Sequence, residues 1–174
     1  MRILVTGAAG SGTSTLARAL ADVLDARSLE LDDFYWLPDA QPYSRKRGAE
    51  ARLALLNGAL QAAPRAVLAG SPMGWDTVLE ASFDAVVFLY LPTPIRLARL
   101  EARELQRGGT LRPGFLDWAA AYDTGLAEGR SLARHEAWLA AQRCLVLRIG
   151  SEAAVATHVA TVLQGLRDGN CLLD

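Results

Sequence analysis

The residues Gly7-Ala8-Ala9-Gly10-Ser11-Gly12-Thr13-Ser14 have the glycine spacing of a phosphate-binding loop, and the apolar run Ile3-Leu4-Val5 leads straight into them. Glycine lets the backbone curl, so successive N–H groups and the N-terminus of the next helix point at phosphate oxygens. The expected phosphate contacts are therefore Gly7, Ala8, Ala9, Gly10, Ser11, Gly12, Thr13, Ser14 and Thr15. Thr13 stands where this motif carries lysine. Backbone donors do not depend on that side chain, but a cation aimed at the moving phosphoryl group does. Its loss is worth about 3 kcal/mol of transition-state stabilisation unless another group substitutes. A ligand-free glycine turn is the alternative reading, and the strand before and helix after the loop count against it.

Further along, Asp32-Asp33 follow Leu29-Glu30-Leu31, which delivers a carboxylate pair to the end of a second apolar run. Asp32 can serve as base toward a hydroxyl or help hold magnesium through water; turn and cap roles are the alternatives for both aspartates. Ser14 occupies the position whose hydroxyl reaches magnesium in such loops, and it can cap the first helix as well. Arg96, Arg99, Arg103 and Arg107 recur at steps of three, four and four, on one stripe of a helix, with Arg112 just beyond. Such a stripe can replace the missing cation, or it is an ordinary solvated face. Arg130 and Arg134 are similar candidates with less support. Phe34-Tyr35-Trp36 and Trp75 can stack on a ring or pack in the core. Asp76 is the nearest acid after the third strand-like run, and His135 and His158 read as isolated surface or packing residues.

The 174 residues are 51% hydrophobic, enough for one globular domain with ample core, spanning 1–174. A net charge of -1 provides no general attraction to nucleic acid or anionic membrane. Lys46 is the only lysine among 18 basic residues. Cys144 and Cys171 have no metal or redox spacing, which points to a reducing cytoplasm, and no stretch approaches membrane-spanning length. The oligomeric state is open.

Five strand-like runs, at 2–6, 28–31, 66–69, 85–91 and 144–149, alternate with helical patterns at 14–24, 49–62, 94–106, 115–122, 131–141 and 152–166. Alternation of this kind implies a parallel sheet covered on both faces. Ligands of open α/β sheets gather outside the carboxyl ends of the strands. That rule brings together the loop at 7–14, Asp32-Asp33, Gly70-Ser71 and the chain from Pro92 onward. Residues 34–47, within an acceptor segment 34–63, and residues 107–113, within a lid segment 107–123, are poor in strand signal and can fold over the site.

The loop, the segment Leu31-Asp32-Asp33-Phe34-Tyr35 and the pattern Leu91-Pro92 with Arg96, Arg99 and Arg103 together resemble the P-loop kinases that act on nucleotides, nucleosides and small molecules such as shikimate. The stretch Arg130-Ser131-Leu132-Ala133-Arg134-His135-Glu136-Ala137-Trp138-Leu139 is similar to adenylate-kinase-like bacterial P-loop proteins. The resemblance covers most of the chain. It implies a three-layer α/β/α sandwich with a five-stranded parallel sheet in the order 2-3-1-4-5. It also implies ATP and Mg2+ as cofactors and a small hydroxylated metabolite, nucleoside or nucleotide as acceptor. In this reading Asp32 is the base, Ser14 and Asp32 hold magnesium, and Arg96, Arg99 and Arg103 serve catalysis. Departures are Thr13 in place of lysine, Gly70-Ser71-Pro72 where adenylate kinases carry an acid, and a short lid segment. The rival readings are a nucleotide-binding module without significant turnover and a binder of another phosphorylated ligand.

Overall fold

The computed structural model describes residues 1–39, 43–106, 113–125 and 129–171. Five strands, β1 (Arg2–Gly7), β2 (Arg27–Glu30), β3 (Ala66–Ala69), β4 (Ala85–Leu89) and β5 (Leu145–Ile149), form one sheet in the order β2-β3-β1-β4-β5. Every pairing is parallel. β1 lies between β3 and β4, so Ile3, Leu4 and Val5 are fully buried. Continuous apolar runs are what a parallel sheet covered on both faces requires.

Alternate side chains divide the core into two layers. Ile3, Val5, Val67, Val87 and Leu89 pack against α1 (Thr13–Val23) and α8 (Val155–Asp168). Leu4, Leu68, Val86 and Phe88 pack against α3 (Ala49–Gln61) and α7 (Leu132–Ala140). α5 (Thr93–Gln106) follows β4 at the carboxyl edge of the sheet, and α6 (Phe115–Ala120) packs beside it. The expected strand order and three-layer arrangement are observed.

Two short helices go beyond the sequence reading. Leu31, expected to end the second strand, instead opens α2 (Leu31–Tyr35), its side chain buried beneath Gly70, with Asp32 and Asp33 in the acid-favouring first turn. Asp76 caps α4 (Thr77–Glu80) by accepting from the Leu79 amide at 2.9 Å. Neither helix is long enough to show a 3.6-residue period. After α2 the chain doubles back: Trp36 and Lys46 form an antiparallel bridge, and the Arg47 guanidinium donates to the carbonyls of Phe34 and Trp36. Among the described residues no helix is long and apolar enough to cross a membrane.

Candidate functional site

The glycine loop leaves the carboxyl end of β1 and enters α1 through Gly12, whose φ of 97° is left-handed and unfavourable for residues with a side chain. Gly10 is constrained twice. Its φ is 85°, and a Cβ there would stand 2.5 Å from the Arg96 carbonyl oxygen. Ser11 closes the turn from inside, donating through its hydroxyl to the Ala8 carbonyl at 2.7 Å. α1 has no side-chain cap and no acidic residue in its first turn, which leaves its leading amides open to an anion.

Ser14 points from α1 to the end of β2 and donates a hydrogen bond to Glu30 Oε2 at 2.8 Å. Glu30 was not singled out in the sequence, because a lone acid at a strand end carries no spacing signal. Its Oε1 is buried without a hydrogen-bond partner, and Arg18 stands 3.8 Å away. Burial pushes the Glu30 carboxyl above its ordinary range, against the hydrogen bond from Ser14 and the charge of Arg18, while Asp33 and Asp32 push it further up. Asp32 and Asp33 are exposed on α2 and close enough to act on Glu30 electrostatically. Oxygen donors of this kind suit a hard divalent cation that keeps water and phosphate ligands. Among the described residues no group of three or more His, Cys, Asp or Glu side chains could hold a metal ion unaided.

The arginine stripe does not act as a unit. Arg96 is fully buried, and its guanidinium donates to the carbonyls of Leu91 (2.9 Å), Ala119 (3.1 Å) and Ala9 (3.3 Å) and to Thr93 Oγ1 (2.7 Å). Asp123, which also accepts from Thr93, stands 3.4 Å from it as counter-ion. Arg99 is half-exposed, paired with Glu152 at 3.0 Å, and its Nη1 lies 4.0 Å from where a Cβ on Gly12 would stand. Arg103 pairs with its neighbour Glu104 at 3.1 Å. Arg107 and Arg112 lie outside the described residues, as does the 107–112 part of the expected lid segment 107–123. Arg134 is exposed, and Arg130 stands 5.8 Å from the Trp118 ring.

His135 differs from its neighbours in the sequence reading. It is fully buried, with Nδ1 2.6 Å from the Tyr122 hydroxyl and Nε2 3.3 Å from Thr6 Oγ1, the residue that leads β1 into the loop. Burial lowers its pKa to about 4 and raises that of Tyr122, so the imidazole is neutral and one ring nitrogen donates while the other accepts. Tyr122 packs in turn against Ala8 of the loop. Arg96 and His135 thus brace the loop from beneath, one through Ala9 and the other through Thr6.

The aromatics form a cluster at the ends of β2 and β3. Tyr35 and Trp75 stack with centroids 5.8 Å apart, and Trp36 meets Tyr35 edge-on at 4.8 Å. Arg52, from the first turn and a half of α3, lies over both rings of the stacked pair, 4.9 Å from Tyr35 and 4.3 Å from Trp75. Glu80 accepts from the Gly74 amide at 2.8 Å and from the Trp138 indole at 2.5 Å, which ties the turn carrying Trp75 to α7.

Comparison with known proteins agrees with this geometry. The family described as "AAA domain" matches residues 3–111. The Bacillus subtilis (strain 168) protein YqaC is 40% identical over 174 residues, 94% of this chain and 96% of that protein. Among solved structures, a shikimate kinase from Acinetobacter baumannii in complex with shikimate superposes with TM-score 0.62 at 19% identity, over 99% of this chain and 95% of that one. A gluconokinase from Sinorhizobium meliloti 1021 gives 0.58 at 18%, over 97% and 93%. A bent glycine loop between β1 and α1, a sheet in the order β2-β3-β1-β4-β5 and this family match make the chain a member of the AAA domain family with the fold of the P-loop kinases.

Proposed function

We propose that the protein transfers the terminal phosphoryl group of ATP to a hydroxyl of a small-molecule acceptor. The observation that carries the reading is the contact of Ser14 with Glu30: a loop hydroxyl and a carboxylate with one buried oxygen that accepts no hydrogen bond meet beside the amides expected to hold phosphate. Ser14, Glu30 and Asp32 would hold magnesium, partly through water, and the buried Glu30 oxygen that accepts no hydrogen bond fits that use. Bound there, magnesium would neutralise charge on the phosphate oxygens.

The other roles fall to groups of this chain. Amides of the loop and of the first turn of α1 hold the phosphates. Asp32 takes the acceptor's proton as its oxygen bonds to the terminal phosphorus and the bond to the β-phosphate oxygen breaks, leaving ADP. Arg99 stands nearest Gly12, and its exposed ion pair with Glu152 is weakly held, so it is the arginine best placed to offset the lysine missing at Thr13. Arg96, spent on carbonyls, supports the loop's shape, and Arg103 stays at the margin. Two free thiols accord with a reducing cytoplasm as the setting.

A second reading, a nucleotide-binding module without turnover, is favoured by Thr13 itself. ADP release with magnesium and a panel of hydroxylated acceptors separates the two. Acceptor-dependent release that Asp32→Asn abolishes supports the kinase; magnesium-sensitive ATP binding with no transfer to any acceptor supports the module.

A further inference from the structure

Between α7 and the carboxyl ends of β4 and β5 lies a cavity of about 390 Å3, a volume within the range of small-molecule sites, and no step of the proposed reaction uses it. It stands on the sheet face that carries Phe88 and Leu132, whereas the glycine loop feeds α1 on the other face. The strand order sets β2, whose end leads to Asp32, at the opposite edge of the sheet from β5. The cavity is therefore apart from both the phosphate loop and the acceptor side.

Its floor is apolar, with the Phe88 ring flanked by Leu132 of α7 and Ile149 of β5. Its rim carries two charges of opposite sign. Arg148 meets Glu136 through both terminal nitrogens, at 2.8 and 2.7 Å, and its guanidinium carbon stands 5.7 Å from the Phe88 ring centre. Both side chains are about half-exposed, so a ligand reaches them with little desolvation. The pair engages only two of the N–H groups of a guanidinium that has five, and one of two acceptor sites on each carboxylate oxygen. Among the described residues neither side chain makes a further hydrogen bond, and the Tyr90 hydroxyl on the same wall makes none.

A ligand that matches this site has the same three parts. Its carboxylate meets the free N–H groups of Arg148, its ammonium the free lone pairs of Glu136, and its apolar side chain the floor. In an α-amino acid one carbon carries all three. A neutral base or sugar has no pair of opposite charges to offer.

We infer that this cavity binds a free α-amino acid with an apolar side chain and that its occupancy is felt at the phosphate loop. Both walls lead to the loop. Glu136 adjoins His135, which packs against Phe88 with ring centroids 5.5 Å apart and reaches Thr6. Arg148 leads through Gly150 to Glu152, the partner of Arg99. A ligand that clamps Glu136 to Arg148 holds α7 and the end of β5 in the arrangement that braces the loop, so amino acid and ATP each favour the other. This goes beyond the kinase reading and needs nucleotide binding alone, not transfer.

Calorimetry on the full chain tests both parts, with L-phenylalanine and L-leucine as probes. Among the analogues, 3-phenylpropionate and 4-methylpentanoate lack the ammonium, 2-phenylethylamine and 3-methylbutylamine lack the carboxylate, and glycine lacks the apolar chain. At least one probe should bind with a dissociation constant on the order of 1 mM or tighter. Its analogues should bind at least about tenfold more weakly. Arg148→Gln and Glu136→Gln should each weaken the probe to the same degree and leave the unfolding temperature nearly unchanged, because the pair is exposed. Saturating amino acid should raise ATP affinity by about fivefold in the wild type and not in Arg148→Gln. Failure of both probes to bind, or an analogue with one charge binding as tightly as its parent, would overturn the assignment. An ATP affinity unmoved by bound amino acid would overturn the coupling to the loop.

Discussion

Ser14 of the glycine loop and Glu30 of the neighbouring strand share a 2.8 Å hydrogen bond, although sixteen residues separate them in sequence. This contact joins phosphate-facing backbone to carboxylate chemistry, and it exists because β2 ends level with the first turn of α1. Glu30→Gln keeps the hydrogen bond to Ser14 and removes the charge. Calorimetry should show ATP affinity in the presence of magnesium falling by about tenfold and magnesium-free affinity unchanged or improved. Equal losses with and without the metal would assign Glu30 a purely structural role.

The raised carboxyl of Glu30 also predicts a pH effect. The folded protein holds that proton more tightly than the unfolded chain, so the site costs stability as pH rises from the ordinary carboxylate range through the folded value, and the cost is fully present above it. Magnesium at neutral pH should offset that cost. Unfolding temperature measured against pH, with and without the metal, should show a magnesium-dependent gain in the wild type that Glu30→Gln lacks.

His135 titrates in the opposite sense. Its folded pKa near 4 lies below that of the unfolded chain, so the neutral ring's contribution is complete above about pH 6.5 and is lost as pH falls toward 4. The full linkage amounts to about 3 kcal/mol. Denaturant titrations from pH 7 to pH 4 should show a loss of stability that is smaller in His135→Gln. An identical acid limb in both proteins would place the titration elsewhere.

Arg96 and Arg99 should separate experimentally. Arg96→Lys keeps the charge and loses the fork that reaches Leu91, Ala119 and Ala9, so destabilisation of about 3 kcal/mol is expected, with ATP binding lost in parallel. Arg99→Ala removes one exposed ion pair and should shift unfolding by less than about 1 kcal/mol while still weakening ATP binding. Denaturant midpoints paired with ATP titrations check both.

Thr13→Lys restores the loop cation. If the cradle is otherwise conventional, turnover should rise by about a hundredfold, the worth of one preorganised charge-stabilising donor. A lower rate would show that Arg99 or a neighbouring group already fills that place and is displaced by the new side chain.

The sheet was legible because a parallel sheet buried on both faces leaves unbroken apolar runs: Ile3-Leu4-Val5 and Ala85-Val86-Val87-Phe88-Leu89 cannot be mistaken for amphipathic helix. The loop was legible through its glycines, whose φ values of 85° and 97° other residues rarely adopt. Less was legible where chemistry depends on depth. The spacing of Arg96, Arg99 and Arg103 defines a stripe, yet one faces the core and two face solvent, since a stripe has a direction only once its partner layer is known. Glu30 and Arg52 left no signal at all, because each matters through residues brought to it from other elements.

The strand order has a consequence for how the protein is made. β1 is synthesised before both of its neighbours, β3 and β4, which arrive only at residues 66–69 and 85–89. At about 5–20 residues per second, the loop leaves the ribosome seconds before any strand can pair with the one that holds it. Until Ala85–Leu89 is in place, the nascent chain has glycines but no site, and nucleotide cannot stabilise it.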